Sequence, residues 1–115
     1  MKILVCGGRD FIAKERLFSV LDGIDIGGRI DSVVHGASRG ADTLAGEWAR
    51  SRGRIEIPVP ADWDKWGRSA GPRRNEQMLA ENPDISLVVA FLGGRGTADM
   101  VFKASEAGLS VLEVK

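Results

Sequence analysis

Apolar residues recur along the chain in two alternating rhythms. Five short runs rich in Val, Ile and Leu have strand length: Ile3 to Cys6, Ser32 to His35, Ile55 to Val59, Leu87 to Leu92 and Val111 to Val114. The first and fourth are continuous, as expected of strands covered on both faces. Between them lie segments with helical spacing. Ala13, Leu17, Val20, Leu21 and Ile24 form one stripe, and Ala41, Leu44, Ala45, Trp48 and Ala49 a second. A third helix is expected from Pro72, a favoured first position, carrying Met78 and Leu79 inward. A fourth runs from about Thr97 to Ala107, with Val101 and Ala104 inward and Gly108 as its stop.

The order β-α-β-α-β-α-β-α-β predicts an α/β fold with a parallel sheet and helices on both faces. The expected architecture is a three-layer, doubly wound, Rossmann-like sheet of about five strands in the order 3-2-1-4-5. One domain spanning residues 1–115 is expected from the length. The segment from Pro60 to Gly71 reads as one long irregular loop, of the kind that often carries function.

Composition narrows the class. Hydrophobic residues make up 43% of the chain, enough for a packed core. Lys+Arg and Asp+Glu are equal at 16 each. Such a neutral chain is a poor candidate for binding nucleic acid through surplus positive charge, yet backbone amides can still hold a small anion. Cys6 is the only cysteine, which excludes an intramolecular disulfide and a cysteine metal cluster. No signal-peptide pattern or membrane-length apolar run is seen, so a cytoplasmic setting without membrane association is the expectation.

Ligands of open α/β sheets bind beyond the carboxyl ends of strands where strand order reverses. In the expected topology that point lies between the turns after strands one and four, Gly7-Gly8-Arg9-Asp10 and Gly93-Gly94-Arg95-Gly96-Thr97. Both are glycine-rich and both feed a helix. Glycine admits close backbone approach, and the free amides and dipole of a helix start attract phosphate. The turn after strand two, Gly36-Ala37-Ser38-Arg39-Gly40-Ala41-Asp42, offers the same chemistry next door. The Walker loop is absent, and Gly94-Arg95-Gly96 lacks the third glycine of the dinucleotide fingerprint because Asp99 stands there.

Individual residues divide accordingly. Gly7, Gly8, Gly36, Gly40, Gly93, Gly94, Gly96 and Thr97 are candidate backbone binders of phosphate. Arg9, Arg39, Arg74 and Asn75 are candidates to orient the ligand, with Arg73 facing solvent. Asp10 and Asp42 are candidates for sugar hydroxyls, each with helix capping as the plainer role. Were the protein an enzyme, Asp10, Asp42 and Asp99 are the carboxylates to test. Trp63 is a candidate to stack on a base, whereas Trp66 reads as a cover for the open end of the core. His35, Cys6 and Trp48 read as core residues. No metal is required, although Mg²⁺ accompanies many phosphorylated ligands.

Four stretches, VCGGRDF (Val5 to Phe11), VHGASRGAD (Val34 to Asp42), DWDKWGRSAGPRRNEQM (Asp62 to Met78) and FLGGRGTADM (Phe91 to Met100), together resemble the SLOG superfamily of Rossmann-like proteins, in its YspA branch, the YAcAr domain. The resemblance implies a nucleotide-related ligand such as an ADP-ribose or NAD derivative, and a sensing or processing role. More distantly, the lysine-decarboxylase-like phosphoribohydrolases carry P-G-G-x-G-T-x-x-E, whose glutamate acts in cleaving the base–ribose bond. Gly93, Gly94, Gly96 and Thr97 match that motif, but Leu92 replaces its proline and Met100 its glutamate. This argues against hydrolysis by that mechanism. The DprA-like single-strand DNA binders are disfavoured by the neutral charge and small size. Enzymatic relatives that pair imply a homodimer by analogy. Binding of a nucleotide-like small molecule is thus the leading expectation, with N-glycosidic hydrolysis and a non-catalytic protein-interaction domain as alternatives.

Overall fold

The computed structural model describes residues 1–115. Five strands form one parallel sheet: β1 (Lys2–Cys6), β2 (Ser32–His35), β3 (Ile55–Pro58), β4 (Ile85–Phe91) and β5 (Val111–Val114), in the order β3-β2-β1-β4-β5. The fold is Rossmann-like, and the strand order is the one expected. β1 pairs with β2 on one side, Ile3 opposite Val33, and with β4 on the other, Val5 opposite Val89.

Alternation along each strand builds two cores. Ile3, Val5, Val33, Val89 and Phe91 face one side, where α1 (Lys14–Ile24) and α2 (Ala41–Ser51) add Leu17, Leu21, Ala45 and Trp48. Leu4, Cys6, Val34, Val88 and Ala90 face the other, against Met78 of α4 (Ala70–Glu81) and Met100 and Ala104 of α5 (Arg95–Glu106). Trp48 is fully buried, and its indole N–H donates to Asp22 at 2.8 Å. Removing such a ring costs about 3–5 kcal/mol. β3 and β5 are the two edges, both partly exposed, and β3 ends on Pro58, which has no N–H to offer a further strand.

The expected long loop is more ordered than its sequence suggests. Trp63–Trp66 forms a single helical turn, α3, whose start is capped by the Asp62 carboxylate accepting from the Lys65 amide at 3.1 Å. Gly67–Ser69 continues as a 3₁₀ turn, and α4 begins at Ala70, two residues before Pro72. Pro72 then occupies the first turn, where its missing N–H leaves no hydrogen bond broken. α5 likewise starts two residues before Thr97 and ends near Gly108, whose φ of +78° suits glycine. No helix is long and apolar enough to cross a membrane.

Candidate functional site

The turns after β1 and β4 lie side by side at the carboxyl edge of the sheet. The Gly8 amide donates to the Leu92 carbonyl at 2.8 Å, which closes one turn on the other. The Gly8 carbonyl in turn accepts from the amides of Phe11 and Ala41, both at 3.2 Å, and so binds the start of α2 to the same point. Beyond these turns opens a cavity of about 910 Å³, within the usual range for small-molecule sites.

β1 and its turn supply Cys6, Gly7, Gly8, Arg9 and Asp10 to the lining; the β2 side supplies Gly36, Ser38 and Asp42. Trp63, Arg68, Arg74, Asn75 and Met78 come from the α3–α4 segment. Leu92, Gly93, Gly94, Arg95, Gly96, Thr97 and Asp99 close the remaining side. Of the candidate residues, only Arg39 and Gly40 lie outside this cavity. Arg39 lines a smaller concavity next to it, and its Nη2 approaches the Asp10 carboxylate at 3.4 Å, with both side chains largely exposed. Gly40, at φ +80°, packs against the Gly8 and Arg9 carbonyls, so its lack of a side chain serves the fold.

Glycine serves different ends in the remaining turns. A side chain at Gly7 would meet Ala41 at 2.6 Å, and one at Gly8 the Leu92 carbonyl at 2.9 Å. The Gly8 amide, expected to hold phosphate, is already committed to Leu92, so that part of the expectation is corrected. Other donors remain open, among them those at the start of α5, where the amides of Arg95, Gly96 and Thr97 have no backbone acceptor. Gly94 and Gly96 have open space above them. A ligand can therefore approach this helix start unobstructed, with the positive end of the helix dipole behind it.

Arg74 is buried at 9% exposure, at the side of the cavity. Its Nη1 donates to the Gly36 carbonyl and its Nε to Asn75 Oδ1 at 3.1 Å. Nη2 has no partner in the chain, yet it is not sealed from the cavity. No carboxylate lies within ion-pair distance of the guanidinium, and burial pushes its pKa down. Asn75 holds this arrangement in place. Its amide donates to the Gly96 carbonyl at 3.2 Å and to Asp99 Oδ2 at 2.9 Å, tying α4 to α5.

The three candidate carboxylates differ sharply. Asp10 is 96% exposed at the rim. Asp99 is held by Asn75 and by Lys103 at 2.9 Å. Asp42 is buried, accepts from the Ser38 amide at 3.2 Å, and has its pKa raised chiefly by desolvation. Met100, at the position of the phosphoribohydrolase glutamate, is fully buried in the core under β4 and cannot be replaced in role by its neighbour Asp99 without a turn of about 100°.

His35 is buried with both ring nitrogens engaged: Nδ1 accepts from the Ala37 amide at 2.9 Å, and Nε2 lies 2.6 Å from Glu56. Cys6 reaches the cavity lining, but burial pushes its thiol up to about 12, leaving it unsuited to act as a nucleophile. Trp63 lines the cavity, with the Arg9 guanidinium 5.0 Å from its ring centre. Trp66 does not cover the core. It is 40% exposed, with Arg73 at 3.8 Å and Lys65 at 4.9 Å over its ring. Arg68, Ile12 and Arg95 also line the cavity, beyond the residues expected from the sequence. Arg68 sits in the 3₁₀ turn, which has no sequence signature, and Ile12 carries no motif. Arg95 stands within a glycine-rich turn, the one signal available for it. No three His, Cys, Asp or Glu side chains converge as a metal-ligand set.

The family described as YspA, cpYpsA-related SLOG matches residues 1–66, which contain the turns after β1 and β2 and the whole of α3. The chain belongs to this SLOG family. It is also similar to the Gene 61 protein of Mycobacterium phage D29, 36% identical over 85 residues that cover 70% of this chain and 68% of the phage protein. The crystal structure of the C-terminal domain of a hydrogenase from Pyrococcus furiosus superposes with a TM-score of 0.59 at 21% identity. That likeness covers 99% of the SLOG chain and 91% of the hydrogenase domain, and it establishes the fold alone. Membership in the SLOG family points to nucleotide-related ligand binding or processing in general.

Proposed function

We propose that the protein binds a phosphorylated nucleotide or nucleotide-derived ligand, such as an ADP-ribose or NAD derivative, and senses or processes it. One observation carries this reading. Arg74 is a buried cation without an ion-pair partner, fixed at two nitrogens and open at the third, in a cavity that also presents unpaired helix-start amides. Asp42 attracts this cation only from beyond ion-pair distance, and burial outweighs that attraction, so an anion in direct contact would supply the compensation it lacks. Arg9, Arg68 and Arg95 line the same cavity, so that with Arg74 its four arginines outnumber the three aspartates Asp10, Asp42 and Asp99. Trp63 offers a flat face for a base, and Mg²⁺ would come with the phosphates rather than from the protein.

The test is thermal melting with AMP, ADP-ribose, NAD and cyclic nucleotides, together with measurement of free base. A ligand at 100 times its Kd adds about 2.7 kcal/mol, which raises the midpoint by several degrees. The reading expects at least one such shift, lost in Arg74→Met. Absence of any shift overturns it.

A second reading, hydrolysis of an N-glycosidic bond, is favoured by Asp42. This is the one candidate carboxyl that is buried in the cavity lining and has a raised pKa, a combination suited to proton transfer. Base release that disappears in Asp42→Asn supports it.

A further inference from the structure

A smaller concavity of about 330 Å³ adjoins the main cavity and shares Arg9, Gly36, Ser38 and Trp63 with it. Its charged lining consists of two arginines, Arg9 and Arg39, without a carboxylate. We propose that this second lobe receives a second anionic group of the same ligand, so that the preferred ligand is a nucleotide carrying two separated phosphates. The inference rests on the reading of the main cavity given above and specifies its ligand class.

Three features support it. First, the back wall of the lobe is fixed before any ligand arrives. The Ala37 amide is held by His35 Nδ1 at 2.9 Å and the Ser38 amide by Asp42 at 3.2 Å. Ala37 is the only non-glycine residue at positive φ, +57°. A conformation of this kind persists where its surroundings impose it. Second, the two guanidiniums are held only loosely by the chain. Arg39 meets Asp10 at 3.4 Å between two exposed side chains, a contact of little strength. Arg9 rests over the Trp63 ring at 5.0 Å without an ion-pair partner. An incoming phosphate can recruit both without breaking a strong bond, and guanidinium binds phosphate in a fork. Third, Trp63 borders both lobes, so the part of the ligand that joins the two anions passes its ring.

Isothermal titration of the full chain decides the matter, using AMP and GMP against the corresponding 2′,5′- and 3′,5′-bisphosphates. At least one bisphosphate is expected to bind about tenfold or more tightly than its monophosphate. Arg39→Ala is expected to remove that gain and leave monophosphate affinity unchanged. If monophosphates bind but no bisphosphate binds tighter, the second lobe is not an anion subsite and the main-cavity reading survives. The second lobe is likewise excluded if the gain persists in Arg39→Ala. If neither class binds, this inference falls, and the main-cavity reading is decided separately by the melting series with ADP-ribose, NAD and cyclic nucleotides. Circular dichroism of Arg39→Ala, whose side chain is exposed, checks that the fold is intact.

Discussion

Gly93 and Thr97 stand in direct contact across the first turn of α5: a side chain added to Gly93 would collide with the Thr97 hydroxyl and come within 2.7 Å of the Gly8 amide nitrogen. Gly94, one residue on, has nothing within 4 Å. Adjacent glycines thus have different reasons to be glycine. Gly93→Ala is expected to destabilise the protein by about 1–3 kcal/mol, as over-packing does. Gly94→Ala is expected to stay within about 0.5 kcal/mol while hindering an anion at the helix start. Urea denaturation of the two variants checks the first expectation, and titration with AMP and ADP-ribose the second.

Arg74 contributes charge as well as packing. Arg74→Met retains most of the side-chain volume and removes the cation. It is expected to fold, with a loss of about 1–3 kcal/mol from the Gly36 carbonyl left without its donor. Nucleotide affinity should fall by one to two orders of magnitude, about 1.5–3 kcal/mol for a charge-assisted hydrogen bond. Arg74→Lys should restore only part of the affinity, because an ammonium cannot hold Gly36, Asn75 and a ligand as one planar fork. Calorimetric titration of both variants reads the difference.

The buried Asp42 carboxyl predicts a pH dependence with a definite sign. Its folded pKa lies above the ordinary value of 3.8 because burial disfavours the charged form. The native state therefore holds a proton that the unfolded chain has released once pH exceeds 3.8, and stability falls as pH rises from there through the folded pKa. Asp42→Asn removes this loss and keeps an oxygen for the Ser38 amide. The variant is expected to be more stable than the parent at neutral pH, with the gap closing on acidification below 3.8. Parallel urea titrations at several pH values test this; a gap that widens on acidification refutes it.

Glu56 works the other way. His35 and Arg50 both donate to it and hold its pKa below the ordinary 4.5. Its contribution is present above 4.5 and is lost as pH falls through the lower folded value. Glu56→Gln should flatten the acid limb of the stability profile, measured by thermal melting across the same pH series.

Cys6 supplies a probe of the fold. With its thiol pushed up to about 12 and only 7% exposed, it is expected to resist alkylation by iodoacetamide at about pH 8. Labelling in urea should rise at the global unfolding midpoint, since β1 is the centre of the sheet. Rapid labelling in buffer contradicts the packing described for β1.

Much of this is legible in the chain. Continuous apolar runs such as Leu87 to Leu92 identify strands covered on both faces, and alternating strands and helices then restrict the topology. The Trp63–Trp66 turn is not legible, because four residues cannot display a helical period. α4 and α5 each start two residues before the position their sequence suggests: Pro72 and Thr97 are conspicuous, while Ala70 and Arg95 carry no start signal. At the site, clustered glycines mark the correct edge of the sheet but not the task of each one. Gly40 and Gly8 are required by neighbouring carbonyls, which lie far away in sequence or across a turn, and no local pattern reports such contacts. Arg68 and Ile12 reach the cavity only through tertiary placement.

The doubly used Gly8 carbonyl has a thermodynamic consequence. Because one oxygen anchors both Phe11 and Ala41, the rim cannot loosen without releasing the first turn of α2 and with it a central part of the core. A ligand docking there meets a surface already frozen by folding, so little chain entropy is left to lose on association. Occupancy should accordingly register as slower global unfolding, with hydrogen exchange retarded across the β-sheet amides and not just in the rim itself.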